Sequence, residues 1–395
     1  MTATQRMDSV LKAAQGGAVG RRRRSAAGFT LVELLMVILI IAMLMGMLSV
    51  AIWKAYEYVQ KAAVILEIDQ LHNAMSAYKE KTGQYPPSLS DLTVADRKVR
   101  FMRHLQVAFS NSNYGVTPTS FDTLRNNLRT AGQLGTNSQA YQFRDASGSV
   151  QLLDLNTLDQ AEALVFWLAG FPTPCNASGV PAAAVRTYGF NLDKDNPMRR
   201  DSAAAEATDP LRFRTIAQME FKQDRFGDND NDGWLEYLPG VYTQGTISAP
   251  FVYFDAPTYV ASTTPPGTAF NITNLLGYPR ATDTSGSNSG TASGLAASWG
   301  LAVPMAEQYD VGGAVPMRWR NPQNFQIICP GKDGMYSSGE SGDLTAAMRF
   351  SVYPGGDTYT KAGNYKTRTS YSIEELDNLN NLGKVTVDEA RQQNR

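Results

Sequence analysis

The sequence predicts an α+β protein: a long N-terminal helix, apolar in its first half and amphipathic in its second, packed on a C-terminal antiparallel β-sheet domain. Three observations predict it. Residues 29–52 form a run of 24 with a single charge, Glu33. Past that run, apolar residues recur at Val64, Ile68, Leu71, Met75 and Tyr78, spaced 4, 3, 4 and 3 apart, which is one face of an α-helix. Farther on, the runs 187–191, 251–255, 325–329 and 349–353 are rich in aromatic or β-branched residues and bounded by Gly, Pro or Asn, as strands are.

Residues 1–28 read as a polar leader ending near the basic block Arg21-Arg22-Arg23-Arg24. Of 36 Lys/Arg and 37 Asp/Glu in the 395-residue chain, this leader holds six and one, so the remainder is mildly acidic. Such a balance gives no electrostatic case for nucleic-acid binding. A hydrophobic content of 43% with 18% charged residues indicates a folded protein. As a helix, residues 29–52 would extend roughly 36 Å, enough to cross a ~30 Å hydrocarbon core, with the arginines held on the cytoplasmic side. Trp53-Lys54-Ala55-Tyr56 then makes an aromatic and basic collar suited to a membrane interface. Glu33 lies inside the apolar segment, where a carboxylate costs a few kcal/mol and calls for a partner.

The amphipathic half keeps Lys61, Glu67, Asp69, Lys79 and Glu80 off its apolar face. Gly83 is a helix stop and Pro86-Pro87 forbid continuation, so the helix should run from about 29 to 82. The expected layout is therefore a leader (1–28), a transmembrane segment (29–52), a stem helix (53–83) and a globular domain (84–395) with a large insertion at about 91–320. Within that domain, helical patches are expected at 91–107 and 158–168. The second begins at Thr157-Leu158-Asp159-Gln160-Ala161-Glu162, an N-cap followed by acidic residues in the first turn. Residues 282–298, rich in Thr, Ser, Gly and Ala, read as a surface loop. Ser372-Ile373-Glu374-Glu375 makes a capping box for a short helix through Asn381.

The stretch Gly28-Phe29-Thr30-Leu31-Val32-Glu33-Leu34-Leu35 resembles the class III signal of type IV prepilins and type II secretion pseudopilins. A further resemblance is the Tyr-Pro turn after the stem, Gly83-Gln84-Tyr85-Pro86-Pro87-Ser88-Leu89. The resemblance implies that a prepilin peptidase cuts after Gly28 and methylates Phe29. It also implies a filament bundled from such stems, in which the new α-amino group of one subunit meets Glu33 of a neighbour. The pair need not stabilise in absolute terms, but it would favour the correct register. The implied partners are homologous pseudopilins or pilins, the peptidase, an inner-membrane assembly platform and membrane lipid. The implied location is the inner membrane, single-pass, with the C-terminal domain periplasmic and the subunit drawn into a filament.

Two acidic loops are candidate calcium sites. Asp228-Asn229-Asp230-Asn231-Asp232-Gly233 alternates carboxylates in a tight loop that can converge hard oxygens on calcium, with Glu236 at its ninth position. The twelfth position is Pro239, so the bidentate Glu of an EF-hand is missing; an exposed Asp/Asn/Gly turn is the other reading. The second loop, Cys329-Pro330-Gly331-Lys332-Asp333-Gly334-Met335-Tyr336, resembles the calcium-binding C-terminal loop of the major type II secretion pseudopilin. By that resemblance Asp333 is a ligand and Asp343 or Asp377 supplies the downstream one. The loop favours a pseudopilus subunit over its alternative, a type IV pilus (minor) pilin or adhesin-like filament subunit. Cys175 and Cys329 could close one disulfide in an exported domain, or stay two buried thiols. His72, expected on the solvated side of the stem, and His104 have no metal-like spacing, and no P-loop, Gly-x-Ser-x-Gly or His-Glu-x-x-His motif is present. The expectation is a structural subunit, not an enzyme.

Overall fold

A single helix, α1 (Leu31–Thr82), comes first among the described elements. A computed structural model describes residues 29–90, 93–110, 112, 114–134, 138–145, 147–172, 187, 189–193, 195–200, 218–240, 249–261, 277–279, 299–308, 317–336 and 379–382. Contacts divide the chain into two units, Met1–Tyr58 and Val59–Arg395. In the first, every described side chain is exposed, including Phe29, Leu31 and all the large apolar residues up to Tyr58. A helix with mean hydropathy 2.9 over its best window and none of that window buried is long and apolar enough to cross a membrane.

In the second unit α1 buries Val64, Ile68, Leu71, Met75 and Tyr78, the face its periodicity marks, and Glu67 with them. Glu67 is a correction to the sequence reading. Its carboxylate sits inside, bridged by both terminal nitrogens of Arg225 at 2.6 Å. Gly83 closes the helix by donating to the Lys79 carbonyl at 2.7 Å. The following prolines have no N–H to satisfy, but their carbonyls are buried and bonded: Tyr253 OH donates to Pro86 O and Trp167 Nε1 to Pro87 O.

Next come α2 (Val94–Ala108), capped by Thr93, and α3 (Pro118–Leu128), capped by Thr117 with proline in its first turn. No helix was expected at α3, although Thr117-Pro118 is a helix-start signal. A short hairpin, β1 (Gln142–Arg144) with β2 (Val150–Leu152), leads to α4 (Gln160–Ala169). All ten residues of α4 are buried, as an all-round apolar helix must be. Its N-cap is Asp159 in a full capping box with Glu162, two residues later than the sequence suggested; Thr157 instead donates its hydroxyl to Asp154 O.

A second hairpin pairs β3 (Phe226–Gly227) with β4 (Glu236–Tyr237), so residues 228–235 are its connecting loop. The central sheet has the order β5 (Val252–Asp255), β8 (Phe325–Cys329), β9 (Leu379–Asn380), all antiparallel. A third hairpin joins β6 (Ala306–Gln308) to β7 (Met317–Trp319). Every residue of β5 and β8 is buried, on both faces of the sheet, which is why these strands are mostly apolar. Tyr253, Phe325 and Ile327 join the core of α1, α2, α3 and α4, while Val252, Phe254 and Ile328 join Tyr278, Trp299, Trp319 and Tyr336 behind the sheet.

Three more expectations change. Residues 187, 189 and 191 make no strand, only isolated bridges that include Gly170 with Gly189 and Pro172 with Thr187. At the end of the helix expected through Asn381, residues 379–380 form β9 instead, with Leu379 paired to Cys329. His72 is half-buried against Phe325 at a ring separation of 5.0 Å, not solvated. The runs 282–298, 349–353 and 372–378 lie outside the described residues.

Candidate functional site

The start of α1 is one candidate. Thr30 Oγ1 accepts from the Glu33 backbone N–H at 3.2 Å, and Glu33 Oε2 accepts from Thr30 N and Thr30 Oγ1, both at 2.9 Å. This is a reciprocal capping box, whose Thr-x-x-Glu signature is legible at Thr30-Leu31-Val32-Glu33. It gives Glu33 a local role, accepting from the Thr30 N–H at the open end of the helix. The bonds use one carboxylate oxygen, and the side chain stands on an exposed helix end beside Phe29. Gly28 lies outside the described residues.

A second candidate is built where the β3–β4 loop meets the N-terminus of α4. Asp228 shapes the loop: its Oδ1 accepts from Asp232 N at 3.0 Å and its Oδ2 from Gly233 N at 3.1 Å. Asn231 and Gly233 take left-handed φ angles of 62° and 92°, which turn the chain sharply enough to bring the carboxylates together. Trp234 then anchors the loop's end. It is buried against Phe166 and Phe171, with Nε1 donating to Asp154 O at 2.8 Å. That anchor sets the loop over Asp159 and Glu162. Two sets of carboxylates have oxygens within 4.8 Å of one another: Asp228, Asp230 and Asp232, and Asp159, Glu162 and Asp230.

Glu236 is also buried here but is employed in holding the loop. It accepts from Asn229 N at 3.2 Å, from Asn229 Nδ2 and from the Tyr278 hydroxyl. The electrostatics follow from crowding like charges away from water. Burial, reinforced by the charge of Asp232, pushes Asp228 up to about 7. Burial and then Asp159 push Glu236 up to about 8. Glu162 and Asp230 rise well above the ordinary carboxylate range for the same causes, burial first and Asp232 next.

The structure thus brings Asp228, Asp230 and Asp232 together and adds Asp159 and Glu162, which the sequence marked only as helix-start residues. Nothing local in sequence joins positions 159 and 230; the packing of Trp234 against Phe166 of α4 brings them together. Asp333 is in a different place, where its Oδ1 accepts from Met335 N at 2.9 Å in a turn after β8. Asp343 and Asp377 lie outside the described residues. So does Cys175; Cys329 is fully buried, its thiol 3.2 Å from Pro330 O.

A family model described as the prokaryotic N-terminal methylation motif matches residues 23–49. That motif marks a prepilin-like structural segment and not an enzyme class. Comparison with curated proteins and with solved structures returned no match. The methylation motif on residues 23–49, heading an exposed apolar helix of membrane-spanning length, fits this chain to the type IV prepilin-like proteins.

Proposed function

We propose that the chain is a structural subunit of a type II secretion pseudopilus. A prepilin peptidase removes residues 1–28 and methylates Phe29, and the mature subunit assembles through its apolar helix to support protein export. Before assembly the subunit is held in the inner membrane by one pass, with the C-terminal domain in the periplasm. The observation that carries this reading is the apolar stem, whose described side chains up to Tyr58 are all exposed and which is headed by a lone carboxylate next to the cleavage position. An exposed apolar surface of this length has two covers available, lipid before assembly and sister helices afterwards. Asp333, in its Gly-flanked turn, supports a pseudopilus; the large aromatic core built from α2, α3 and α4 supports the alternative, a type IV pilus or adhesin-like subunit whose extra domain carries a binding role.

Co-expression with a prepilin peptidase tests the reading. Mass spectrometry should find the chain without residues 1–28 and with N-methyl Phe29; an uncut chain overturns it. The capping box sharpens the test of Glu33. Glu33→Gln keeps a side chain that serves at this capping position but removes the charge, whereas Glu33→Ala removes both. If the neighbour's amine needs the charge, both variants lose filament assembly. Assembly lost in Glu33→Ala and intact in Glu33→Gln would show that Glu33 only caps its helix.

A further inference from the structure

In the triad Asp159, Glu162 and Asp230, two buried carboxylate oxygens have no hydrogen-bond partner among the described residues. Glu162 is 1% exposed; its Oε2 accepts from Asp159 N at 2.8 Å, and its buried Oε1 has no hydrogen-bond partner among the described residues. Buried Asp230 Oδ1 has none there either. Both orphaned oxygens belong to the same triad, whose ligand atoms lie within 4.8 Å of one another. Oxygens on opposite sides of a cation bound at about 2.3–2.6 Å are up to about 5 Å apart, so one ion fits between them.

We propose that Asp159, Glu162 and Asp230 hold one calcium ion, which clasps the β3–β4 loop to the N-terminus of α4. The donors are all hard carboxylate oxygens with no His or Cys, which excludes the softer transition metals as the preferred occupant. Magnesium is bound through one or two carboxylates and keeps its waters, whereas three protein carboxylates, with Asp228 and Asp232 beside them in the loop, make a calcium environment. The capping box explains why Glu162 cannot turn away. One oxygen is committed to the Asp159 N–H, so the other is left facing the loop. The loop itself does not wait for the ion, because Asp228 staples it from within. The site is independent of the filament reading, since it involves no residue of α1.

The test uses the full-length protein in detergent micelles, stripped with a chelator and melted under tryptophan fluorescence with calcium chloride or magnesium chloride added. Calcium should raise the melting temperature by several degrees. Glu162→Gln, which preserves the capping box, should melt higher than wild type without calcium, because it removes an ionisable carboxyl from a buried cluster of like groups. The same variant should bind calcium at least about tenfold more weakly. Asp230→Asn should lose the calcium response from the loop side, leaving α4 untouched. Asp333→Asn should keep the full response, which separates this site from the turn after β8. A Glu162 that only caps its helix would give the opposite result: no gain without calcium and an unchanged calcium response. Equal melting of wild type with and without calcium, or a full shift in Glu162→Gln, overturns the site; an equal shift with magnesium overturns the calcium assignment.

Discussion

Replacing Arg225 by Met should destabilise the second unit strongly and in a pH-dependent way. Arg225 lies in the turn before β3 and holds Glu67 of α1 by two bonds of 2.6 Å, with side-chain exposures of only 12% and 8%. Burial raises the Glu67 pKa above its ordinary value, and the Arg225 charge opposes that rise. Met fills most of the space but leaves the carboxylate buried without its cation, a loss of about 3–5 kcal/mol for pairs of this kind. Protonation sets an upper bound. At 1.36 kcal/mol per pH unit above an unfolded value of about 4.3, neutralising Glu67 costs roughly 4 kcal/mol at pH 7 and roughly 1 at pH 5. The sign is fixed by the folded pKa rising further in the variant: the folded state then binds the extra proton, so stability falls as pH rises above about 4.3. Arg225→Met should therefore lose about 3–4 kcal/mol at pH 7 and about 1 kcal/mol at pH 5. The double variant Glu67→Met/Arg225→Met should return to within about 1 kcal/mol of wild type, because an apolar pair replaces the ion pair. Urea unfolding of the detergent-solubilised protein, read by tryptophan fluorescence at both pH values, measures all three. A loss below about 1 kcal/mol that is the same at pH 5 and pH 7 would show that Glu67 is solvated and the argument wrong.

Two further perturbations are as direct. His104 is 3% exposed, with Nε2 2.9 Å from the Tyr78 hydroxyl, and burial pushes its pKa down to about 3. The unfolded chain takes up this proton below about 6.5 and the folded one does not, so stability drains as pH falls, by about 2 kcal/mol at pH 5. His104→Gln should flatten the unfolding free energy between pH 7 and pH 5 by that amount, and equal slopes in the two proteins would contradict it. Gly170, the C-cap of α4, has φ 83° and ψ −152°, and an added Cβ would sit 2.2 Å from Gly189 Cα. Backbone strain and backbone overlap together predict that Gly170→Ala loses at least about 3 kcal/mol, whereas Gly132→Ala, with φ 82° and open space around it, should lose about 1; similar losses in thermal melts would refute the close approach.

Sequence periodicity alone determined the stem. The residues spaced 4, 3, 4 and 3 apart, from Val64 to Tyr78, are the ones that bury, and a helix of period 3.6 leaves no other way to gather them. The run from Phe29 to Ile52 likewise declared itself, because 24 residues with one charge make a helix long and apolar enough to cross a membrane. The strands β5 and β8 were legible too, since their apolar runs are bounded by Pro and Asn. Tertiary structure decided the rest. Glu67 looks like a solvated charge until Arg225, 158 positions away, is folded against it. Residues 379–380 look like a helix end until β8 offers them a free edge. Asp159 and Glu162 look like an ordinary cap until Trp234 carries an acidic hairpin loop onto them. The common physical reason is range: periodicity and capping act over three or four residues, whereas the cost of burying a charge depends on which distant group the fold places beside it.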